Sequence, residues 1–274
     1  VDSATIGADL LDDWLANEDT KNLVSKSRYS TSYAYFYCFN FNPQFDAEYE
    51  PENWKKAVNN ENFRQALFHA VDKTKAVAVT EPNTPEDYVL STITPFEFAY
   101  TEDGTDYTTM GALAGRKATF DEAEAVKYRD AAKTELAAEG VTFPVKVLMP
   151  YNPEVTNWDK ECQVVEQQVE ALLGSDFIDI IVEAGPSDSF LSNVRRSGKY
   201  AFMLCNWGAD YQDPETWTDP FYESKGESGY DGGSSYAFLG TAVTENGAAG
   251  PAVKEYFDKV DAAKAITIDT NPRF

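Results

Sequence analysis

Between residues 143 and 206 the chain alternates short apolar runs with helical stripes, and this alternation restricts the fold more than any other feature. FPVKVLMP (143–150), FIDIIVE (177–183) and YAFMLCN (200–206) have the length and composition of strands. Between the first two, Trp158, Cys162, Val165, Val169, Leu172 and Leu173 recur at helical spacing up to Gly174. Between the second two, Phe190, Leu191 and Val194 mark a shorter helix over residues 187–197, ended by Gly198. Strand, helix, strand, helix, strand implies parallel strands joined by right-handed crossovers. The expected class is α/β, a mainly parallel mixed sheet with flanking helices.

Upstream, SYAYFYCFNFN (32–42) is dense in aromatics, which favour strands. Alternation puts Tyr35, Tyr37, Phe39 and Phe41 on one face and Ala34, Phe36, Cys38 and Asn40 on the other. Both faces are mostly apolar, so a strand buried on both sides is expected, with Asn40 its polar member near the end. Phe63, Ala66, Leu67, Ala70 and Val71 form a helical stripe with His69 beside it. FDEAEAVKYRDAAKTELAAEG predicts a helix opened by Thr119 or Asp121 and closed by Gly140. Further helices are expected over residues 3–17, capped by Ser3, and over 251–265. Residues 81–115 carry no sustained period and predict a long irregular segment. The Gly/Ser-rich GESGYDGGSS loop covers 226–235.

The charge narrows the partners. Twenty-three basic against 46 acidic residues leave a net charge of −23, which repels phosphate backbones and argues against a nucleic-acid partner. Simple solubility accounts for the same excess. The single histidine, His69, excludes a His-rich metal site, and no cofactor motif is present. Cys38, Cys162 and Cys205 lack a C-x-x-C pattern and sit in apolar contexts expected of buried thiols, with a Cys162–Cys205 pairing left open. No run approaches the ~18 apolar residues of a membrane span. The chain opens on Val1 with an acidic amphipathic stretch, as expected of a piece of something longer with any targeting segment upstream.

Ligands of open α/β sheets gather beyond the carboxyl ends of strands, and NWGADYQDPETWTD (206–219) lies at such an end. Asn206 opens this lip, Trp207 offers a flat apolar wall, and Gly208 permits close approach to the backbone. Asp210 supplies a negative charge able to pair with an ammonium group. An ordinary loop would contain the same residues. Asp210, Asp213, Glu215 and Asp219 beside Trp207 and Trp217 could alternatively serve as a glycosidase pair.

The order of segments resembles the C-terminal lobe of the oligopeptide-binding proteins of ABC importers, a family that also binds dipeptides and nickel. An aromatic strand ending in Asn is followed by NENFRQALFHAVDK, which fits N-x-x-(V/F)-R-x-A-(L/I)-x-x-A-(V/I)-D-(R/K). After the helices and strands above comes NWGADYQDP, which fits W-x-A-D-Y-x-(D/E)-P. The resemblance covers roughly residue 32 to the C-terminus. It implies a receptor rather than an enzyme, with an oligopeptide ligand held between two lobes and delivered to ABC importer permease subunits. It implies an extracytoplasmic location, lipid-anchored or periplasmic. It further implies that Asp210 meets the peptide α-ammonium, that Trp207 and Gly208 line the cleft, and that Asn40 contacts the peptide near the hinge. A signalling peptide, a sugar or a chelated metal are alternative ligands within the family. Relatives often have Gly before the Trp and Cys after it, where this chain has Asn206 and Gly208. Some also carry an Arg in the strand for a C-terminal carboxylate. Residues 200–206 have none, which favours longer peptides. The length fits one lobe over residues 31–274, with residues 1–30 belonging to or packing on a missing N-terminal lobe.

Overall fold

The structure, a computed structural model, describes residues 4, 6–25, 32–116, 119–227, 229–232, 235–267 and 273–274. The expected cap Ser3, the boundary at residues 30 and 31, and part of the 226–235 loop lie outside these residues. In chain order the elements are α1 (Ala8–Ala16), β1 (Tyr33–Phe39), α2 (Pro51–Asn59), α3 (Glu61–Ala70), α4 (Lys73–Val77), α5 (Glu122–Ala138), β2 (Val145–Tyr151), α6 (Trp158–Leu173), β3 (Ile178–Ala184), β4 (Phe202–Gly208), β5 (Ser224–Lys225), β6 (Tyr230–Gly232), α7 (Leu239–Thr244) and α8 (Gly250–Lys264).

Side-chain caps set several helix starts. Asn60 Oδ1 accepts from Phe63 N at 2.9 Å, Asp72 Oδ1 from Thr74 N at 3.1 Å, and Asp121 Oδ1 from Glu124 N at 3.0 Å. Each satisfies a main-chain donor that a helix leaves unpaired at its start. At the far end of α6, Gly174 adopts φ +93°, a conformation that disfavours any other residue.

The parallel unit is present. β2 and β3 pair in parallel, Val145 opposite Ile178 through Tyr151 opposite Ala184, with α6 as the crossover. The strands contribute Val145, Val147, Met149, Ile178 and Ile180 to the main core. Phe63, Ala66, Leu67 and Ala70 of α3, Ala125, Ala132 and Leu136 of α5, and Val165, Val169 and Leu173 of α6 complete it. Small alanines on both α3 and α5 let these helices lie close along each other.

β4 does not continue the parallel ladder. It pairs antiparallel with β1, Phe39 opposite Phe202 through Tyr33 opposite Gly208. Its tie to β2 is the bond from Ala201 N to Leu148 O, 2.8 Å. The strands are therefore of both kinds, a parallel β2–β3 pair and an antiparallel β1–β4 ribbon, each a two-stranded ladder. The parallel share is smaller than the crossover pattern implies, because β4 takes β1 as its ladder partner instead of joining β2 and β3. The expectation that β1 is buried on both faces fails on one of them. Ala34 and Cys38 are buried on the first face, but on the other Tyr33 and Tyr35 are 44% and 66% exposed and Tyr37 and Phe39 half-buried, because the packed elements cover that face only toward its inner end. The expected helix over 187–197 is a single wide turn, Leu191–Arg195, with Arg196 N bonded to Leu191 O at 2.9 Å.

α1 stands apart. It contributes to none of the hydrophobic clusters among the described residues, and Leu10, Trp14 and Leu15 remain exposed. Its tie is local, Thr20 Oγ1 donating to Trp14 O at 2.8 Å.

Candidate functional site

The ribbon leaves one edge of β4 unpaired. At its inner end Asn40 N donates to Ala201 O, and beyond its outer end Ala209 N donates to Ser32 O, both 2.9 Å. Hydrogen-bonded and open pairs alternate along an antiparallel ladder. In this register Met203, Cys205 and Trp207 turn their main-chain groups toward β1. Leu204, Asn206 and Gly208 turn theirs to the outer edge. Among the described residues, no other segment bonds to those outward groups.

The two faces of the ribbon differ. Trp207 shares a face with Ala34 and Phe36. It packs edge-on against Tyr236, ring centroids 5.8 Å apart. Its Nε1 donates to Thr216 Oγ1 at 3.4 Å, and Asp210 N donates to the same oxygen at 3.1 Å. The fully buried Thr216 thus anchors both Trp207 and the turn that carries Asp210. The opposite face presents Tyr33, Tyr35, Asn206 and Gly208. A Cβ on Gly208 would fall 2.7 Å from Tyr33 Cε2, so the Tyr33 ring occupies the space that Gly208 leaves free. The Tyr33 and Tyr35 rings stand 5.7 Å apart. Deeper on this face the Tyr37 hydroxyl donates to Glu161 Oε1 of α6 at 2.7 Å. Burial pushes the Glu161 carboxyl above its usual range, against the opposing pull of that hydrogen bond.

Asp210 is exposed, and among the described residues no basic side chain pairs with it. The neighbouring acids are engaged. Arg273 Nη2 contacts Asp213 Oδ1 at 3.1 Å and Glu215 Oε2 at 3.0 Å. Lys264 Nζ contacts Glu215 Oε1 at 3.0 Å and Asp219 Oδ1 at 3.7 Å. Asp213 also caps the turn Pro214–Trp217 by accepting from Glu215 N at 2.9 Å. Burial raises the Asp219 carboxyl, with the Glu215 charge adding and Lys264 opposing.

Asn40 lies elsewhere. It is fully buried, and its Nδ2 donates to Gly198 O at 2.8 Å and Tyr200 O at 2.7 Å, while Oδ1 accepts from Asn42 N at 2.8 Å. It joins the end of β1 to the segment entering β4 and does not sit with Trp207, Gly208 and Asp210. All three thiols are buried and free. Cys38 and Cys205 share one face of the ribbon, whereas Cys162 belongs to the main core. Burial pushes the Cys162 and Cys205 thiols well up, away from reactive thiolate. Among the described residues no group of three or more His, Cys, Asp or Glu is placed to hold a metal ion. Among the described residues no helix is long and apolar enough to cross a membrane.

Residues 2–229 match the family model of bacterial extracellular solute-binding proteins, family 5. The chain belongs to this family. Its family is one of solute-binding receptors, which sets the ribbon edge and its lip in context. Among its relatives, the oligopeptide-binding protein AmiA of Streptococcus pneumoniae is 27% identical over 246 residues, 80% of this chain and 36% of AmiA. The oligopeptide-binding protein SarA of Streptococcus gordonii is 28% identical over 245 residues, 80% of this chain and 35% of SarA. This family 5 chain thus spans about a third of the length of these relatives. Its fold is shared with Listeria monocytogenes OppA, solved bound to peptide, at TM-score 0.58 and 22% identity over 80% of this chain and 38% of that one. It is shared also with the substrate-binding domain of a Bacillus anthracis oligopeptide ABC transporter, at TM-score 0.65 and 16% identity over 98% and 44%.

The motif around Asp210 was visible in the sequence. The exposed Tyr33 and Tyr35 were not, because alternation assigns residues to faces without saying which face the core covers. The ion pairs of Arg273 and Lys264 with the lip were also hidden, since both cations come from distant sequence.

Proposed function

We propose that this chain is the peptide-binding lobe of an extracytoplasmic receptor that delivers oligopeptides to the permease subunits of an ABC importer. The observation that carries the reading is the unpaired outer edge of β4, leading directly to an exposed, unpaired Asp210. An extended peptide satisfies such an edge by strand addition, its main chain bonding to Leu204, Asn206 and Gly208. Its α-ammonium then pairs with Asp210. Trp207 on one face and Tyr33 with Tyr35 on the other receive alternate side chains. Residues 31–274 form this lobe. The exposed apolar residues of α1 are read as a surface for the lobe that would close over the lip, with 1–30 belonging to it. The protein acts as a receptor at the cell surface or in the periplasm and catalyses no reaction. The glycosidase alternative loses its support because Asp213 and Glu215 are neutralised by Arg273 and Lys264.

The test is calorimetric titration of short peptides into the protein expressed with the sequence that flanks it in its gene. Free-amine peptides are expected to bind, and N-acetylated ones to lose about 2–5 kcal/mol, the usual consequence of removing one member of a buried charge pair. Equal binding of both pools would remove Asp210 from the site. Binding of neither would remove the peptide reading.

A further inference from the structure

Tyr33 and Gly208 are a cross-strand pair with one member missing. They stand directly opposite in the ribbon, and Gly208 has no side chain to meet its partner. The Tyr33 ring fills the vacancy, with Cε2 and Cδ2 2.7 Å and 2.9 Å from where a Cβ would stand. The ring therefore lies across β4 toward its outer edge, the side on which Gly208 directs its own main-chain groups. Adjacent strands run about 4.8 Å apart. A strand added at that edge would set one of its side chains beside Gly208, on the Tyr33 face. With no Gly208 side chain between them, the incoming residue and the tyrosine ring meet in direct contact. Tyr35, its ring 5.7 Å from that of Tyr33 and tilted by 52°, forms a second wall, and Asn206 stands opposite it on β4. Both tyrosines are exposed.

We infer that Tyr33, laid across Gly208, is a specificity determinant selecting an aromatic side chain at one position of the bound peptide. The inference rests on the peptide-binding reading above and adds a side-chain preference to it. Asp210 lies two residues beyond Gly208, and a peptide whose amine sits at Asp210 brings one of its first three residues to the tyrosine. Aromatic residues gain beyond simple burial when their rings meet offset or edge to face. Aliphatic residues of similar area gain less, and small or polar residues gain least.

The experiment walks a single Phe through the first five positions of an alanine-rich host peptide. Affinity is measured for the parent protein, Tyr33→Ala, Tyr33→Phe and Gly208→Ala. The parent is expected to favour Phe over Ala by roughly three- to ten-fold at one position among the first three. Tyr33→Ala brings that ratio close to unity, and Tyr33→Phe preserves it. Gly208→Ala lowers it by displacing the ring. Thermal unfolding of each variant confirms that the fold is kept. A Phe preference confined to later positions, absent everywhere, or unchanged in Tyr33→Ala overturns the inference while leaving peptide binding intact. Failure of the parent to bind any peptide of the series overturns the underlying reading, and the inference with it.

Discussion

At the scale of single residues, the buried polar groups carry the sharpest expectations. Asn40 was legible as an odd polar member of an aromatic strand, but its role was not. Its amide is consumed by Gly198, Tyr200 and Asn42, partners that only the folded chain supplies. Asn40→Ala leaves Tyr200 O without that donor and Asn42 N without that acceptor, while Gly198 O keeps Gln44 N, and the loss of stability in urea unfolding is expected to be about 2–4 kcal/mol. A loss below about 1 kcal/mol would show that water replaces the amide freely. Glu161 gives an expectation with a pH signature. Burial raises its carboxyl in the folded state, so the proton is held more tightly folded than unfolded. The associated stability is complete below the unfolded value and is lost as pH rises through the folded one. Glu161→Gln keeps an acceptor for Tyr37 and removes the titration. Its urea midpoint is expected to exceed that of the parent at about pH 7, with the gap closing toward about pH 4. A gap that stays constant across this range would assign the effect to packing instead.

Elements were legible wherever local periodicity set them. The apolar spacing in α3, α5 and α6 and the strands β2 and β3 follow from residues a few positions apart, and the capping side chains sit where the helices begin. The pairing of β4 was not legible, since choice of partner is a tertiary matter: one strand sequence suits a parallel or an antiparallel neighbour. α2 was missed although Pro51 at its first turn and the buried Trp54, Ala57 and Val58 carry the signal. The elements also differ in what they contribute. Leu136 of α5 is fully buried in the main core, and Leu136→Ala is expected to destabilise by about 2–5 kcal/mol. Deleting residues 1–25, whose described members share no cluster with the rest, is expected to change the stability of the remainder by under about 1 kcal/mol. Paired urea denaturations check both, and a large loss from the deletion would mean that α1 packs on this lobe after all.

For the whole molecule, the net charge of −23 stores self-repulsion that the fold must overcome. Raising monovalent salt from about 10 to about 150 mM shortens the screening distance and is expected to raise the melting temperature. A flat or falling response would show that local ion pairs, such as those of Arg273 and Lys264, outweigh the global term. The charge says little about which ligand binds, whereas the lip motif and the ribbon edge speak to it directly, one visible in sequence and the other only in three dimensions. The ribbon has a consequence for folding order. It joins distant stretches of chain: Asn40 and Tyr200 are bonded across 160 residues. Closing so long a loop is entropically unfavourable and slows every contact that depends on it. Pulse-labelled hydrogen exchange is expected to protect α5 and α6 before Cys205 and Trp207. The intervening helices and parallel strands then assemble first and the ribbon zips last, so that a nascent chain with a nearly complete core still lacks the strand edge proposed to take the peptide.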